Sequence, residues 1–334
     1  MDDQVIVSHA DSLSHAEIET QLQDGPGVLI VRGAYQDNSL LDVVADHFYK
    51  RIQREGGHAA DHFAAGSNQR LWNSLNKLAE DAPQLFADYY GNEWLHVVSE
   101  AWLGPLYQIT AQVNVVVPGG SPQTGHRDYH LGFYPESLVR KMPDLIRQAS
   151  TKMTLQGAII HCDVPTEMGP TKLLLGSQKD PDGYLTYRRA EEQTRFEREC
   201  SQIPFKKGDL VFFNPSIFHA AGGNNTSAPR LVNLLQVSTA LAKPMEHIDF
   251  VGLVKHVYPH LLDQTDEALV ARAIRALVDA YPFPSNLDRD PPSDDWLGEL
   301  ETSWLLEAWR VKEAPEVVIA AYIERREKRT YNTP

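Results

Sequence analysis

The triplet His126-Arg127-Asp128 sets an imidazole and a carboxylate two residues apart. Alternate residues of an extended strand project to one face, so His126 and Asp128 would offer a nitrogen and an oxygen to one ion while Arg127 turns away. Such a triplet arises readily in a chain with 13 histidines, and His247-Ile248-Asp249 repeats the spacing. The block downstream of the first triplet separates the two. Gly208-Asp209 is followed by the apolar run Leu210-Val211-Phe212-Phe213, the turn Asn214-Pro215-Ser216, and then Ile217-Phe218-His219. A turn and a buried strand that end on a histidine supply a third ligand, and no comparable block follows His247. Two imidazoles and one carboxylate hold one face of an octahedral ion and leave three positions open, an arrangement suited to Fe(II) and dioxygen (O2). The open positions would also take a chelating 2-oxo acid, whose far carboxylate needs a cation. Arg230, eleven residues beyond His219, offers a planar fork for a two-pronged, charge-assisted pair.

These groups need a rigid frame. Between Tyr107 and His219 the chain reads as short β-prone runs bounded by Gly, Pro and Asp turns: Tyr107–Val117, Thr154–His161, Thr171–Leu175 and Asp209–Phe213, with Leu231–Ser238 continuing the series. Strands without long intervening helices argue for a sandwich or barrel, and a double-stranded β-helix (jelly roll, cupin-like) is the natural candidate. Before this core, Gly27–Arg32 reads as a strand, and Leu41, Val44, Phe48 and Ile52 recur at helical spacing behind possible caps at Asp37, Asn38 and Ser39. A further helical stretch runs through Leu85, Phe86 and Tyr89, then from Trp94 to Trp102, and stops at Gly104-Pro105. Beyond Lys243-Pro244 the helical pattern returns, with Leu269, Ala273, Ile274 and Leu277 on one face and Trp304 to Trp309 later. The expectation is one domain over residues 1–334: a β core at about 20–240, flanked by N-terminal helices and by a C-terminal helical extension at about 244–334. The turn-rich stretch from Tyr281 to Pro292 is too short to divide it.

Composition narrows the partners. With 31 basic against 45 acidic residues the net charge is −14, so nucleic acid is not expected. No run of eighteen apolar residues and no basic, then apolar, leader is present, so a soluble, cytoplasmic protein without a membrane partner is expected. Cys162 and Cys200 read as free buried thiols, and Asn224-Asn225-Thr226-Ser227 as a turn.

Taken in order, several pieces carry a resemblance: Asp24-Gly25 with Val31-Arg32-Gly33, Leu103-Gly104-Pro105, His126-x-Asp128, and Gly169-Pro170-Thr171 with Leu175-Gly176-Ser177. Gly208-Asp209, His219, Asn225 and Arg230 complete it. The chain resembles the phytanoyl-CoA dioxygenase family of Fe(II)/2-oxoglutarate-dependent oxygenases. That resemblance implies Fe(II), 2-oxoglutarate and O2 as cofactor and co-substrates, with His126, Asp128 and His219 as metal ligands and catalytic centre. It adds Gln123 and Thr171 to Arg230 as 2-oxoglutarate contacts. It departs from the family at Gln178, where a histidine commonly follows Gly-Ser.

The implied reaction is oxidation, by default hydroxylation, of an unactivated C–H bond in a small or medium-sized organic molecule, with release of succinate and carbon dioxide. Halogenation is disfavoured because Asp128 occupies the position a halide would need. Tyr129 and His130 stand where they would touch substrate, and Glu136–Ser150 would form a helix or lid. The simpler readings are a surface turn with a core histidine for the triplet and its partner, and an ordinary ion pair for Arg230. His256 and His260 read as surface histidines, and Trp72, Trp304 and Trp309 as core or capping contacts. Two rival functions remain: a non-catalytic jelly-roll protein that binds a small ligand or metal, and a hydrolytic zinc centre built from the same ligands. A monomer or homodimer is expected.

Overall fold

A computed structural model describes residues 5–8, 11–56, 68–128, 130–283, 286–291 and 299–329. The chain opens with strand β1 (Ile6–Ser8), helix α1 (His15–Gln23), β2 (Val28–Arg32), α2 (Asn38–Arg54), β3 (Gln69–Leu71), α3 (Ser74–Asp81), α4 (Phe86–Tyr90) and α5 (Glu93–Leu103). The middle contains β4 (Tyr107–Val116), α6 (Glu136–Val139), α7 (Asp144–Ser150), β5 (Thr154–Ile160), β6 (Lys172–Leu174), α8 (Gly183–Thr186) and α9 (Ala190–Glu199). Next come β7 (Ser201–Gln202), β8 (Leu210–Phe213), β9 (Phe218–Ala220) and β10 (Arg230–Thr239). Helices α10 (Phe250–Leu261), α11 (Glu267–Leu277), α12 (Glu301–Arg310) and α13 (Pro315–Arg329) close the chain.

Among the described residues the strands form a seven-stranded mixed sheet, in the order β1-β2-β8-β5-β10-β4-β3, and a three-stranded sheet, β7-β6-β9. The long strand β10 pairs antiparallel with β4 from Arg230↔Val116 to Thr239↔Tyr107, and with β5 from Val232↔Ile160 to Ser238↔Thr154. Period-two alternation sends successive side chains to opposite faces. In β2, Leu29 and Val31 join the core under the helices while Val28 and Ile30 join an inner cluster; in β8, Phe212 and Phe213 part the same way. The outer face is therefore apolar and sealed by helices, among them α10 (Val254, Val257) and α11 (Ile274), within one continuous cluster.

Local signals explain the helix ends. Ser14 and Glu17 form a capping box at α1, and Asp37 accepts from Ser39 N at the start of α2. Gly104, at φ +81°, ends α5 in a conformation that suits glycine. The Glu136–Ser150 stretch is two short helices, not one. Pro143 is the N-cap of α7, and a residue preceding proline is disfavoured in helical conformation. Asp249 of the second His-x-Asp triplet caps α10 by accepting from Gly252 N, which accounts for that spacing without a metal. Both cysteines are free, but only half-buried. Asn224 is fully buried and accepts from Thr226 N at 3.0 Å, the turn expected at that position.

Two buried histidines fasten the helices to the sheet in the neutral state. His96 Nε2 donates to Tyr90 O at 2.8 Å and its Nδ1 accepts from the Tyr107 hydroxyl at 2.7 Å. His161 Nδ1 donates to Leu41 O at 3.1 Å and its Nε2 accepts from the Tyr89 hydroxyl at 2.7 Å. Burial pushes His96 down to about 3 and His161 down to about 4, from an ordinary value of 6.5. Below pH 6.5 the unfolded chain takes up protons that these sites refuse, so stability is fully present above 6.5 and drains as pH falls towards 4. Urea titrations should show roughly 2 kcal/mol lost per histidine between pH 7 and pH 5. The His96→Gln/His161→Gln double variant should be less stable at pH 7 but flatter over that interval. An equal slope in the variant would contradict the assignment.

Candidate metal centre and its cavity

His126 and His219 are brought together by the backbone. His126 N donates to His219 O at 2.8 Å and His219 N to His126 O at 2.9 Å, an antiparallel bridge between residues 93 apart in sequence. Directly opposed residues of such a pair share a face, and the imidazole centroids lie 4.5 Å apart. Asp128, two residues on, returns to the same side. Its Oδ1 lies 3.9 Å from His126 Nε2, and its Oδ2 lies 3.7 Å from His219 Nε2. Both separations are too long for hydrogen bonds. Gly125 admits this approach, since a Cβ there would come within 2.8 Å of the Phe196 and Phe218 rings. Phe196 of α9 stacks on Phe218 at 4.5 Å and steadies β9.

The protonation pattern calls for a cation. His126 Nδ1 donates to Thr124 O at 2.8 Å and His219 Nδ1 to Ile217 O at 2.9 Å. Each ring thus carries its proton on the outer nitrogen and turns an Nε2 lone pair inwards, the second-sphere arrangement of metal-binding histidines. Burial pushes the Asp128 carboxyl up, but the two imidazoles and the Gln156 amide outweigh it and hold it down to about 2. Its Oδ2 accepts from Gln156 Nε2, while its buried Oδ1 has no hydrogen-bond partner among the described residues. Two lone pairs and an orphaned anionic oxygen, with ligand atoms all within 4.8 Å, fit a divalent ion of the first transition row.

The centre opens into a cavity of about 910 Å³, at the large end of small-molecule sites. Arg230 lies in its wall, 4 % exposed. Its guanidinium donates to the carbonyls of Met168 at 2.6 Å, Gly169, and Gly222 at 3.1 Å. Burial lowers it to about 10, which leaves it a cation at neutral pH, and it makes no ion pair among the described residues. Gly169, at φ +70°, is required for this contact because a Cβ there would meet Gly223 O at 2.1 Å. Thr171 and Gln123 also line the cavity. Thr171 precedes β6 instead of lying on it, and Gln123 ties its loop to Ala221 N through its Oε1 at 3.0 Å.

A family model for phytanoyl-CoA dioxygenase (PhyH) matches residues 24–232. The chain belongs to the phytanoyl-CoA dioxygenase family, whose members are Fe(II)/2-oxoglutarate-dependent oxygenases. It is 29 % identical over 162 residues to the dioxygenase olcK of Penicillium canescens, across 46 % of this chain and 48 % of that one. The match thus spans about half the length of that curated relative. The non-haem α-ketoglutarate-dependent carbocyclase SnoK of nogalamycin biosynthesis superposes with a TM-score of 0.51 at 15 % identity, covering 71 % of this chain and 94 % of its own. EctD from S. alaskensis, solved with 2-oxoglutarate and 5-hydroxyectoine, gives 0.51 at 14 % identity, covering 70 % and 78 %. These two likenesses concern the fold alone.

The structure places several further side chains of this PhyH-family chain. Arg127 points away from the centre, donating to Ser177 O at 2.9 Å and to Ser216 O. Gln178 donates to Gln23 O and Gly25 O at 3.1 and 3.0 Å, so it anchors the turn that enters β2. Trp72, expected in a core or capping position, instead lines the cavity with Arg70 over its ring at 5.7 Å. Trp309 is buried, and Trp304 stacks on Tyr322, as expected. His256 and His260 are half-buried on α10 and join no metal-ligand group among the described residues. Tyr129 and the side chain of His130 lie outside the described residues; the neighbouring Phe133 and Tyr134 line the cavity.

Sequence reasoning missed the amides on the inner face of the sheet. Gln112 and Asn114 on β4, Gln156 on β5 and Gln236 on β10 are all 5 % exposed or less, and all line the cavity. Alternating polar residues normally mark a solvent face; here the alternation marks a buried cavity wall. The carbonyl oxygens of Asn114, Gln156 and Gln236 are buried without a hydrogen-bond partner among the described residues, a cost of about 1–3 kcal/mol each. Gln156 also positions Asp128. Gln156→Leu should weaken Co(II) binding, titrated by its visible spectrum, by about 10–100-fold and leave the fold intact. Unchanged affinity would remove Gln156 from the support of the centre.

Proposed function

We propose that this chain is an Fe(II)/2-oxoglutarate-dependent dioxygenase that oxidises, by default hydroxylates, an unactivated C–H bond of a small or medium-sized organic molecule, releasing succinate and carbon dioxide. The observation that carries the reading is the convergence of two inward-facing Nε2 lone pairs and the Asp128 carboxylate on one open-faced point. Family membership supports it. When bound, ferrous iron with 2-oxoglutarate and O2 supplies an oxidant strong enough to take hydrogen from carbon.

The protein's part is to hold and to exclude. His126, His219 and Asp128 hold the ion on one side, and Gln156 keeps the carboxylate aimed. Arg230, a buried cation with no carboxylate partner among the described residues, receives the far carboxylate of 2-oxoglutarate; an ion pair with a protein acid would have closed that role. Thr171 and Gln123 stand in the same wall as further contacts. Ile160, Val211, Phe213 and Val232 line the same cavity with apolar surface, which limits water around the co-substrate's carbon chain.

The large sheet facing the small one across this cavity is read as a double-stranded β-helix (jelly roll), and the continuous helical core supports a single domain over the chain. Two free cysteines accord with a cytoplasmic location. Among the described residues no helix is long and apolar enough to cross a membrane.

Anaerobic addition of Fe(II) and 2-oxoglutarate should produce a weak visible charge-transfer band that the His219→Ala variant lacks. Arg230→Met should weaken 2-oxoglutarate binding about 100-fold or more, because it removes a charge-assisted two-pronged pair, while metal binding persists. No band in the unaltered protein, or turnover that survives without O2 and 2-oxoglutarate, would replace this reading with a ligand-binding or hydrolytic one.

A further inference from the structure

The three candidate metal ligands are not held alike. His126 and His219 lie on the backbone bridge, and each ring is fixed from behind by a carbonyl two residues earlier, Thr124 O and Ile217 O. Asp128 lies past the end of that bridge and makes no backbone-to-backbone hydrogen bond among the described residues. The direction in which its side chain leaves the main chain must therefore be set by side chains from elsewhere. One neighbouring segment supplies them. The Tyr184 hydroxyl of α8 donates to Asp128 O. In the turn before α9, the Tyr187 hydroxyl and the Arg188 guanidinium each donate to Gly132 O at 2.6 Å, and Gln193 Nε2 of α9 donates to Gly125 O at 2.8 Å. The fit is close at both ends of α8's contact: a Cβ on Gly183 would come within 2.3 Å of the Arg127 guanidinium carbon, and one on Gly132 within 1.8 Å of Arg127 O.

Resting on the reading of His126, Asp128 and His219 as an iron centre, we propose that Tyr184 is a positioning residue for that centre. Its hydroxyl fixes the main chain at Asp128 while Gln156 fixes the carboxylate, so the third ligand is held from both ends. Tyr184 is buried, and its ring packs with Leu131, Val139 and Leu185 in a small cluster separate from the main core. Phenylalanine would serve that packing, and a buried hydroxyl is unfavourable unless it is bonded; the group that satisfies this one is the carbonyl of a metal ligand. Tyr187 offers an internal contrast. It makes the same kind of bond four residues further on, where a second donor shares the carbonyl and the chain passes to Phe133 and Tyr134 in the cavity wall. Tyr187 thus holds the wall, and Tyr184 holds the ligand.

Tyr184→Phe and Tyr187→Phe test the difference, since each deletes one buried hydroxyl and keeps its ring. In titrations of the full chain with Co(II) at pH 7, Tyr184→Phe should bind the ion about tenfold more weakly. At saturating Co(II) its visible bands should also move or change intensity, because displacing the carboxylate alters the ligand field; only folded, metal-loaded protein contributes to those bands, so a general loss of stability leaves them in place. Tyr187→Phe should match the unaltered chain in both affinity and spectrum, whatever stability it loses in urea. The proposal is overturned by a Tyr184→Phe variant with unaltered affinity and bands, or by equal changes in the two variants. Failure of Tyr184→Phe to fold also overturns it, since the bond would then belong to the fold as a whole. An unaltered chain that takes up no Co(II) defeats the metal-centre reading and this one together, whereas a bound ion indifferent to Tyr184 defeats only this one.

Discussion

Two reciprocal backbone hydrogen bonds between His126 and His219 are the constraint on which the candidate site depends. They hold segments 93 residues apart in one antiparallel register, and register decides which side chains share a face. A slip of one residue in either segment would turn an imidazole out of the cavity. Much of the surrounding structure serves this register. Phe196 on Phe218 braces β9, the β6–β9 pairing sets Leu173 opposite His219, and Arg127 ties the strand behind the centre to the turns at Ser177 and Ser216.

The large sheet then works as a partition. Its outer side is apolar and buried under helices from both ends of the chain, which supplies the hydrophobic stabilisation. Its inner side is where that stabilisation is offset. Among the described residues, a guanidinium without a counter-ion, a carboxylate oxygen without a donor and three amide oxygens without one are each unfavourable in the free protein. All of these residues line the cavity that holds the candidate metal ligands, opposite a well-packed outer core.

Legibility from sequence followed the range of the interactions. The β-prone runs were found within a residue or two of β2, β4, β5, β6, β8 and β10, and α2 and α5 matched their apolar spacing and caps. Helix α1 carried an unread signal in its Ser14-to-Glu17 capping box, and α9 in the acidic Glu191-Glu192 behind Arg189. The Glu136–Ser150 stretch was expected as one helix or lid because its apolar residues recur suitably; Pro143 overrode that spacing. The inner amides went unnoticed because Gln and Asn alternating with Val or Ala on a strand look the same whether the polar face meets water or a cavity. The same limit applied to Trp72, whose bulk says that it is covered but not by what.

By itself the sequence determined the donor types and their local spacing, His126 with Asp128, the strand ending on His219, and Arg230 at the head of β10, because strand geometry converts spacing into direction without help from the rest of the chain. Their number and order also carried the family resemblance. Only the tertiary structure decided that His126 and His219 share a bridge, that Arg230 finds carbonyls and, among the described residues, no acid, and that Gln112, Asn114, Gln156 and Gln236 line a cavity instead of facing solvent. Those are facts of long-range pairing and burial, fixed by which surfaces the folded chain brings into contact, and no local pattern encodes them.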